Sequence, residues 1–208
     1  MSSRDHYEAR WRSLPAGLEP PDFEVRRRFL LEHLSAGERV LDVGCGDGSF
    51  AAELQAAGAE VVGIDVADEA LRRARARNPE IELQMVDQDR PWPLEDASFD
   101  VVWAGEVIEH VADTAAWLSE VRRVLRSGGA LLLSTPDHGP LTLLAAGLSK
   151  RAFATRFDPL GEHLRYYNSA TLSLLIEEFG FQGVQIRAHG GIPGARRVLL
   201  AHAIRSRF

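Results

Sequence analysis

The chain has 208 residues and a mass of 23.0 kDa, with 45% hydrophobic and 26% charged residues, which suits one soluble globular domain and excludes a disordered or fibrous class. Its 24 basic and 30 acidic residues leave a net charge of −6, which argues against a nucleic-acid partner held by a uniform positive field. One cysteine, Cys45, cannot form an internal disulfide, and the polar start lacks a secretory apolar core, so a cytoplasmic setting is the expectation.

The segment before Gly37 carries Tyr7, Trp11 and Phe23, and its spacing predicts a helix from about Asp22 to Leu34. Residues 39–43 read as a short apolar strand and 49–57 as a helix. Residues 60–64 read as a second buried strand, followed by a helix over 68–77. A third strand is expected at 81–86 and a fourth at 99–104. An amphipathic helix over 114–125 then stops against Ser127-Gly128-Gly129, and a fifth strand follows at 130–134. The insertion 136–168 breaks this rhythm. Its apolar patch, 141–148, reads as a lid helix rather than a membrane-resting one, being short and without a flanking basic face. A helix over 169–179 and two strands, 183–188 and 198–204, close the chain as a hairpin. Strands separated by helices of this length imply right-handed crossovers and a parallel sheet covered on both faces. The division expected is one domain: a cap (1–36), a core (37–135), a substrate-side insertion (136–168) and a C-terminal helix and hairpin (169–208). No run reaches the roughly 20 apolar residues of a membrane span.

Between the first strand and the first crossover helix stands Val40-Leu-Asp-Val-Gly-Cys-Gly-Asp-Gly48. Glycines at 44, 46 and 48 let the backbone turn tightly and approach a ligand that a Cβ would exclude, and the following helix aims its first amides at the same place. Asp65 ends the next strand about twenty residues on, where an acid accepts from a ribose diol. The dinucleotide fingerprint wants Gly-x-Gly-x-x-Gly, a spacing absent here, and Asp47 inside the turn would repel a pyrophosphate. A cationic sulfonium cofactor without phosphate suits the turn better, as does the excess of acids between Asp65 and Glu109.

With these residues in view, the chain resembles the class I S-adenosylmethionine-dependent methyltransferases, in particular the small-molecule group that includes the ubiquinone and menaquinone methyltransferases. The motifs are Leu41-Asp-Val-Gly-Cys-Gly-Asp-Gly48, Gly63-Ile-Asp65, Asp87 ahead of Pro93-Leu-Glu-Asp-Ala-Ser-Phe-Asp100, Glu106-Val-Ile-Glu-His110 and Leu125-Arg-Ser-Gly-Gly129. Ser127 stands where the family usually has proline. The resemblance implies a Rossmann-like, doubly wound α/β fold with a seven-stranded, mostly parallel sheet ending in an antiparallel hairpin. It implies S-adenosylmethionine as cofactor and a small-molecule acceptor, with O-methylation favoured. Gly44 and Gly46 would hold the methionine moiety, with Asp42 organising the turn or only bonding its amides. Asp65 would bind the ribose hydroxyls and Val66 the adenine face, while Asp87, beside Val86 and Gln88, would accept from the adenine amino group.

On a helical turn, Glu106, Glu109 and His110 would share a face through their i, i+3 and i+4 spacing. Two carboxylates and an imidazole suit a divalent cation. The cluster is similar to the metal site of small-RNA 2′-O-methyltransferases and ubiquinone-pathway O-methyltransferases. That resemblance makes Glu106, Glu109, His110 and His163 the candidate ligands. The metal-free reading, which is the expectation, has Glu106 contact the cofactor's methionine end, with His110 or His163 as general base or alignment alone sufficing. Trp11, Trp103, His138, Phe153, Phe157, Tyr166 and Tyr167 are candidate acceptor-lining residues, and Arg196, Arg197, Arg205 and Arg207 read as a solvated strand face. Peripheral membrane contact and either a monomer or a homodimer stay open. The rival functions are a metal-assisted RNA 2′-O-methyltransferase and a non-catalytic cofactor-binding subunit. The acidic balance opposes the first and the intact motifs oppose the second.

Overall fold

The computed structural model describes residues 3–87, 90–158, 161–192 and 196–207. In chain order the elements are α1 (Ser3–Ser13), α2 (Phe23–Glu32), β1 (Arg39–Val43), α3 (Ser49–Ala56), β2 (Glu60–Asp65), α4 (Asp68–Arg77), β3 (Glu82–Met85) and β4 (Phe99–Gly105). A 3₁₀ turn (Ile108–His110) follows, then α5 (Thr114–Val124), β5 (Leu125–Pro136), α6 (Pro140–Gly147), α7 (Lys150–Arg156), α8 (Ser169–Glu178), β6 (Phe181–His189) and β7 (Val198–Arg205).

The strands form one sheet in the order β3-β2-β1-β4-β5-β7-β6. The first five are mutually parallel, and β7 runs antiparallel to both β5 and β6. Consecutive strand residues feed opposite faces, so apolar runs build two cores. Leu41, Val62, Val102, Leu131 and Leu133 pack with Leu118 and Val121 of α5 and with Leu172 and Ile176 of α8. Val40, Val61, Val101, Trp103 and Leu132 pack on the other side with Phe29 and Leu30 of α2 and with Phe50 and Leu54 of α3. Strand order reverses between β1 and β4, which opens a crevice at their carboxyl ends.

Four local outcomes differ from the sequence reading. The helix α5 ends at Val124, because Leu125 turns extended (φ −67°, ψ 139°) and pairs with Phe99 while its side chain enters the core. The Ser127-Gly128-Gly129 segment is therefore an irregularity inside β5 rather than a helix stop; Gly128 takes φ +80° and β4 and β5 shift register. The polar helix α1 has no apolar stripe to announce it, and tertiary contacts hold it on α4. Arg4 pairs with Asp68 at 2.8 Å, Glu8 accepts the Glu69 amide at 3.0 Å, and Arg73 donates to the Leu14 carbonyl at 3.0 Å. The strand β6 begins two residues early, at Phe181, whose buried ring extends the core. In the insertion the apolar patch does not fold inward: of all α6 and α7 residues whose burial is described, only Ala146 is buried. The ends of the insertion are stapled, His138 donating its amide to the Tyr167 carbonyl at 2.8 Å. Among the described residues no helix is long and apolar enough to cross a membrane.

Candidate active site

A cavity of about 510 Å³ lies at the carboxyl ends of β1, β2 and β4, roofed by α1, within the range of small-molecule sites. Its floor is the glycine turn. The amides of Gly44 and Cys45 both donate to the Ile64 carbonyl, at 2.8 and 3.0 Å, tying the turn to β2. The turn needs residues without a side chain at its crest. Gly46 has φ +56°, and a Cβ there would sit 2.7 Å from the Trp11 ring that α1 lays over it. Asp65 fixes the same turn: one oxygen accepts the Gly46 amide at 3.0 Å and the other the Ala67 amide at 2.9 Å. A carboxylate has further lone pairs, and Asp65 lines the cavity. Burial pushes its pKa up, opposed by these amides.

Other residues singled out in the sequence divide. Gly44, Val66, Val86, Glu106, Glu109, His110 and His163 line the cavity with Asp65 and Gly46. Asp42 is buried and is not among the lining residues; the Ala51 amide in the first turn of α3 serves it, and burial, reinforced by Asp65, pushes its pKa up to about 8. Asp87 is exposed, one residue beyond Val86, and lies 3.6 Å from Arg90. Gln88 lies outside the described residues. Asp47 is compensated by Arg77 at 2.5 Å and by the Ser49 hydroxyl at 2.6 Å, so its repulsion of a phosphate is weaker than the bare turn suggests. Cys45 is buried against Gly63, and burial pushes its thiol up, the opposite of a nucleophile's tuning.

Sequence reasoning missed Arg26. This side chain of α2 reaches the cavity wall, its guanidinium 4.6 Å from the Phe50 ring centre and 5.8 Å from that of Trp103, and presses on Gly105. One nitrogen donates to the Pro21 carbonyl at 3.2 Å, but Nε has no hydrogen-bond partner among the described residues. Burial lowers its pKa, opposed by Glu106, Glu109, Asp42 and Asp22. Glu106 follows Gly105 with φ +59°, a strained conformation for a non-glycine residue, fixed by its amide bond to the Ser134 carbonyl and by the Ser134 hydroxyl donating to its carboxylate, both 2.9 Å. A guanidinium whose Nε has no hydrogen-bond partner among the described residues, and a carboxylate lining the same cavity, complement a zwitterionic amino-acid group. The only sequence signal was a charged residue at an inward position of the Asp22–Leu34 helix.

The Glu106–His110 segment does not become the single-faced helical turn read from its spacing. The 3₁₀ turn starts at Ile108, after the strained Glu106, and this separates Glu106 from the others. Glu109, His110 and His163 come together, each offering one ligand atom within 4.8 Å of the others; Glu106 is not in that group. Thr135 donates to one Glu109 oxygen at 2.9 Å, and the second oxygen is buried with no hydrogen-bond partner among the described residues. Burial, then Glu106, pushes the Glu109 pKa up. His110 Nδ1 lies 2.9 Å from the Glu162 carbonyl, which makes that nitrogen the donor and leaves Nε2 a lone pair. Burial, then His163 and Arg10, pushes the His110 pKa down to about 3, so it stays neutral near neutrality. Over this cluster, α1 is latched by Arg10 and His6 to Glu162, and Tyr7 meets the His110 ring edge-on at 6.1 Å.

Of the candidate acceptor-lining aromatics, Trp11 lines the cavity. Trp103 is fully buried in the core beside Phe50, because its strand position faces α3 rather than the crevice. His138, Phe153, Phe157, Tyr166 and Tyr167 do not line this cavity; Tyr166 joins His138 and Phe157 in ring contacts beside it. Three of the C-terminal arginines are engaged, Arg196 with the Gly190 and Gly191 carbonyls at 3.4 Å, Arg197 with Asp22 at 2.6 Å and Arg205 with the Leu125 carbonyl.

The fold and this site define a class I S-adenosylmethionine-dependent methyltransferase domain. Residues 19–186 match the methyltransferase domain, and the chain belongs to that family. A Mycolicibacterium smegmatis protein named "Probable S-adenosylmethionine-dependent methyltransferase" is 35% identical over 175 residues, 82% of this chain and 63% of that protein. The ubiquinone biosynthesis O-methyltransferase of Nitrosococcus oceani is 35% identical over 144 residues, 67% of this chain and 61% of that protein. The chain thus spans about three fifths of the length of these relatives. The Haemonchus contortus phosphoethanolamine N-methyltransferase 2, solved with S-adenosyl-L-methionine, is similar in fold at a TM-score of 0.72 and 17% identity, over 97% of this chain and 56% of that one.

Proposed function

We propose that this chain transfers a methyl group from S-adenosylmethionine to a small-molecule acceptor, with a hydroxyl oxygen as the favoured atom. The observation that carries this reading is one cavity lined by two chemically distinct sets of residues. The glycine turn, Asp65, Arg26 and Glu106 suit a nucleoside diol and an amino-acid zwitterion. Tyr7, Glu109, His110 and His163 line the same cavity and supply groups that can meet an acceptor hydroxyl. In this reading Asp65 accepts from the ribose hydroxyls, Arg26 donates to the methionine carboxylate and Glu106 receives its ammonium. Val66 covers the adenine, and Asp87 and Gln88 serve its rim.

The acceptor oxygen attacks the methyl carbon in line as the carbon–sulfur bond breaks, leaving S-adenosylhomocysteine, methyl ether and one proton. The cluster of Glu109, His110 and His163 orients the hydroxyl, and Glu109, whose pKa burial pushes up, receives that proton rather than the imidazoles, whose pKa burial pushes down, while the α1 roof excludes water. The likeness to ubiquinone biosynthesis O-methyltransferases supports oxygen as acceptor. A panel of phenols, alcohols, amines and activated carbons with labelled methyl donor tests the reading. Label recovered only in amines or carbon acids overturns the O-methylation, and label in none of them overturns the small-molecule assignment.

A second reading has a divalent cation on the same cluster, favoured by the unpartnered Glu109 oxygen and the neutral imidazoles of His110 and His163. Bound there, a cation would acidify the acceptor hydroxyl. Calorimetry with magnesium, manganese and zinc, repeated on Glu109→Gln, tests it; activity that survives exhaustive chelation removes it.

A further inference from the structure

The C-terminal end of α2 meets the β6–β7 hairpin through a pair of imidazoles that nothing in the proposed reaction uses. His33, which caps α2, stacks on His202 of β7 with ring centres 4.7 Å apart and planes inclined by 29°. His33 Nδ1 lies 2.8 Å from the Phe29 carbonyl, which makes that nitrogen the donor. His202 Nδ1 is buried and has no hydrogen-bond partner among the described residues. The charged and titratable groups around the pair are Glu32, next to His33, and Arg187 and His189 on β6. Glu32 and Arg187 form an ion pair at 2.8 Å, and His189 shares the Arg187 face of its strand, across from Val198. The residues in register with His202, Gln185 on β6 and Leu132 on β5, carry no charge.

We propose that the His33–His202 stack is an acid-sensitive fastening of α2, released when the pair is protonated. Neutral, the two rings stack and fill the junction between helix and sheet. As an imidazolium, His202 has two donor nitrogens, and its Nδ1 has no acceptor to meet. The new charge also lies against a second imidazole and near the Arg187 guanidinium. Burial, then His33 and Arg187, pushes the His202 pKa down. A state in which α2 has left β7 takes up the proton at the ordinary value of about 6.5, so the fastening holds above that pH and weakens below it. The helix carries the release to the cavity. Arg26, Phe29, Leu30 and His33 stand at i, i+3, i+4 and i+7 on one face, with Arg26 about 10 Å from His33 along the axis. Resting on the reading of Arg26 as partner of the cofactor's carboxylate, the fastening ties the hold on the methyl donor to pH.

The test is amide hydrogen exchange of the full chain at about pH 7.5 and about pH 5.5, corrected for the intrinsic exchange rates. Protection of the α2 amides is expected to fall about tenfold between the two, the factor that one imidazole titrating at about 6.5 in the open state contributes. His202→Gln cannot take a charge, and its α2 protection should change less than about twofold. No fall in the wild type, an equal fall in the variant, or a fall shared by β1, β4 and β5 overturns the proposal. In the wild type the His202 ring resonance should titrate below about 6.5; a midpoint at or above that value overturns the proposal too, and this measurement carries the test if the variant fails to fold. Saturating S-adenosylhomocysteine should raise α2 protection, and 5′-methylthioadenosine, which lacks the amino-acid group, should not. An α2 left unprotected by both, with its pH response intact, removes the Arg26 reading and leaves the fastening standing. Loss of the pH response removes the fastening alone.

Discussion

Arg26 gives the sharpest test of the cofactor geometry. Its guanidinium is buried, held between the Phe50 ring and the Pro21 carbonyl, with Nε facing no hydrogen-bond partner among the described residues. Replacing it by methionine keeps the stem's packing and removes the fork. A hydrogen bond to a charged group contributes about 1.5–3 kcal/mol, and this fork is already ordered, so two bonds to a carboxylate should together be worth about 3 kcal/mol, or about 100-fold in affinity. Titration calorimetry with S-adenosylhomocysteine reads that loss. The control is 5′-methylthioadenosine, which keeps the nucleoside and lacks the amino-acid group; its affinity should stay within about threefold, since Arg26 would not touch it. Arg26→Lys keeps the charge without the fork and should fall between. A loss below about threefold for S-adenosylhomocysteine, or an equal loss for both ligands, refutes the assignment of Arg26 to the carboxylate.

The Asp65→Ala variant should weaken both ligands alike by about 2 kcal/mol, because it loses the diol acceptor and frees the Gly46 amide from its 3.0 Å bond; unchanged calorimetry removes Asp65 from the ribose. Asp42 titrates at about 8 in the fold, above its unfolded value, so the folded state holds the extra proton and stability falls as pH rises from about 4 to 8, by at most about 1.4 kcal/mol per pH unit. Melting curves of Asp42→Asn should lose that part of the slope; identical slopes in both proteins would refute it. Trp103→Ala should cost about 3–5 kcal/mol in denaturant unfolding, while the folded fraction keeps its S-adenosylhomocysteine affinity. A large loss of affinity without a loss of stability would move Trp103 from the core to the site.

The glycine turn and Asp65 were legible because both act locally. A strand, a turn that needs positive φ and an acid at the end of the next strand are written in consecutive residues, and the parallel sheet then brings them together. The Glu106–His110 cluster was legible in its residues and not in its shape. Helical spacing placed Glu106 beside Glu109 and His110, whereas the backbone bond to Ser134 on β5 forces Glu106 out of that face, and a partner 28 residues away has no local signature. The roof and Arg26 were hidden for a related reason. The helix α1 is polar along its length and is held by ion pairs to α4 and Glu162, while Arg26 is one of three consecutive arginines on α2, Arg26, Arg27 and Arg28, that composition cannot distinguish.

The amino-acid sequence by itself determined the architecture, through apolar periodicity and turn chemistry, and the class of cofactor, through motifs whose spacing mirrors the alternation of strand and helix. Tertiary structure alone decided which charged groups face the cavity. It turned Arg26 inward and Trp103 into the core, compensated Asp47 through Arg77, and left the α6–α7 leucines in solvent. The physical reason is that periodicity records how a segment meets its own element. Whether a charge is paired, buried or free to bind depends on side chains that arrive from elsewhere in the chain, and burial then sets the balance between desolvation and attraction.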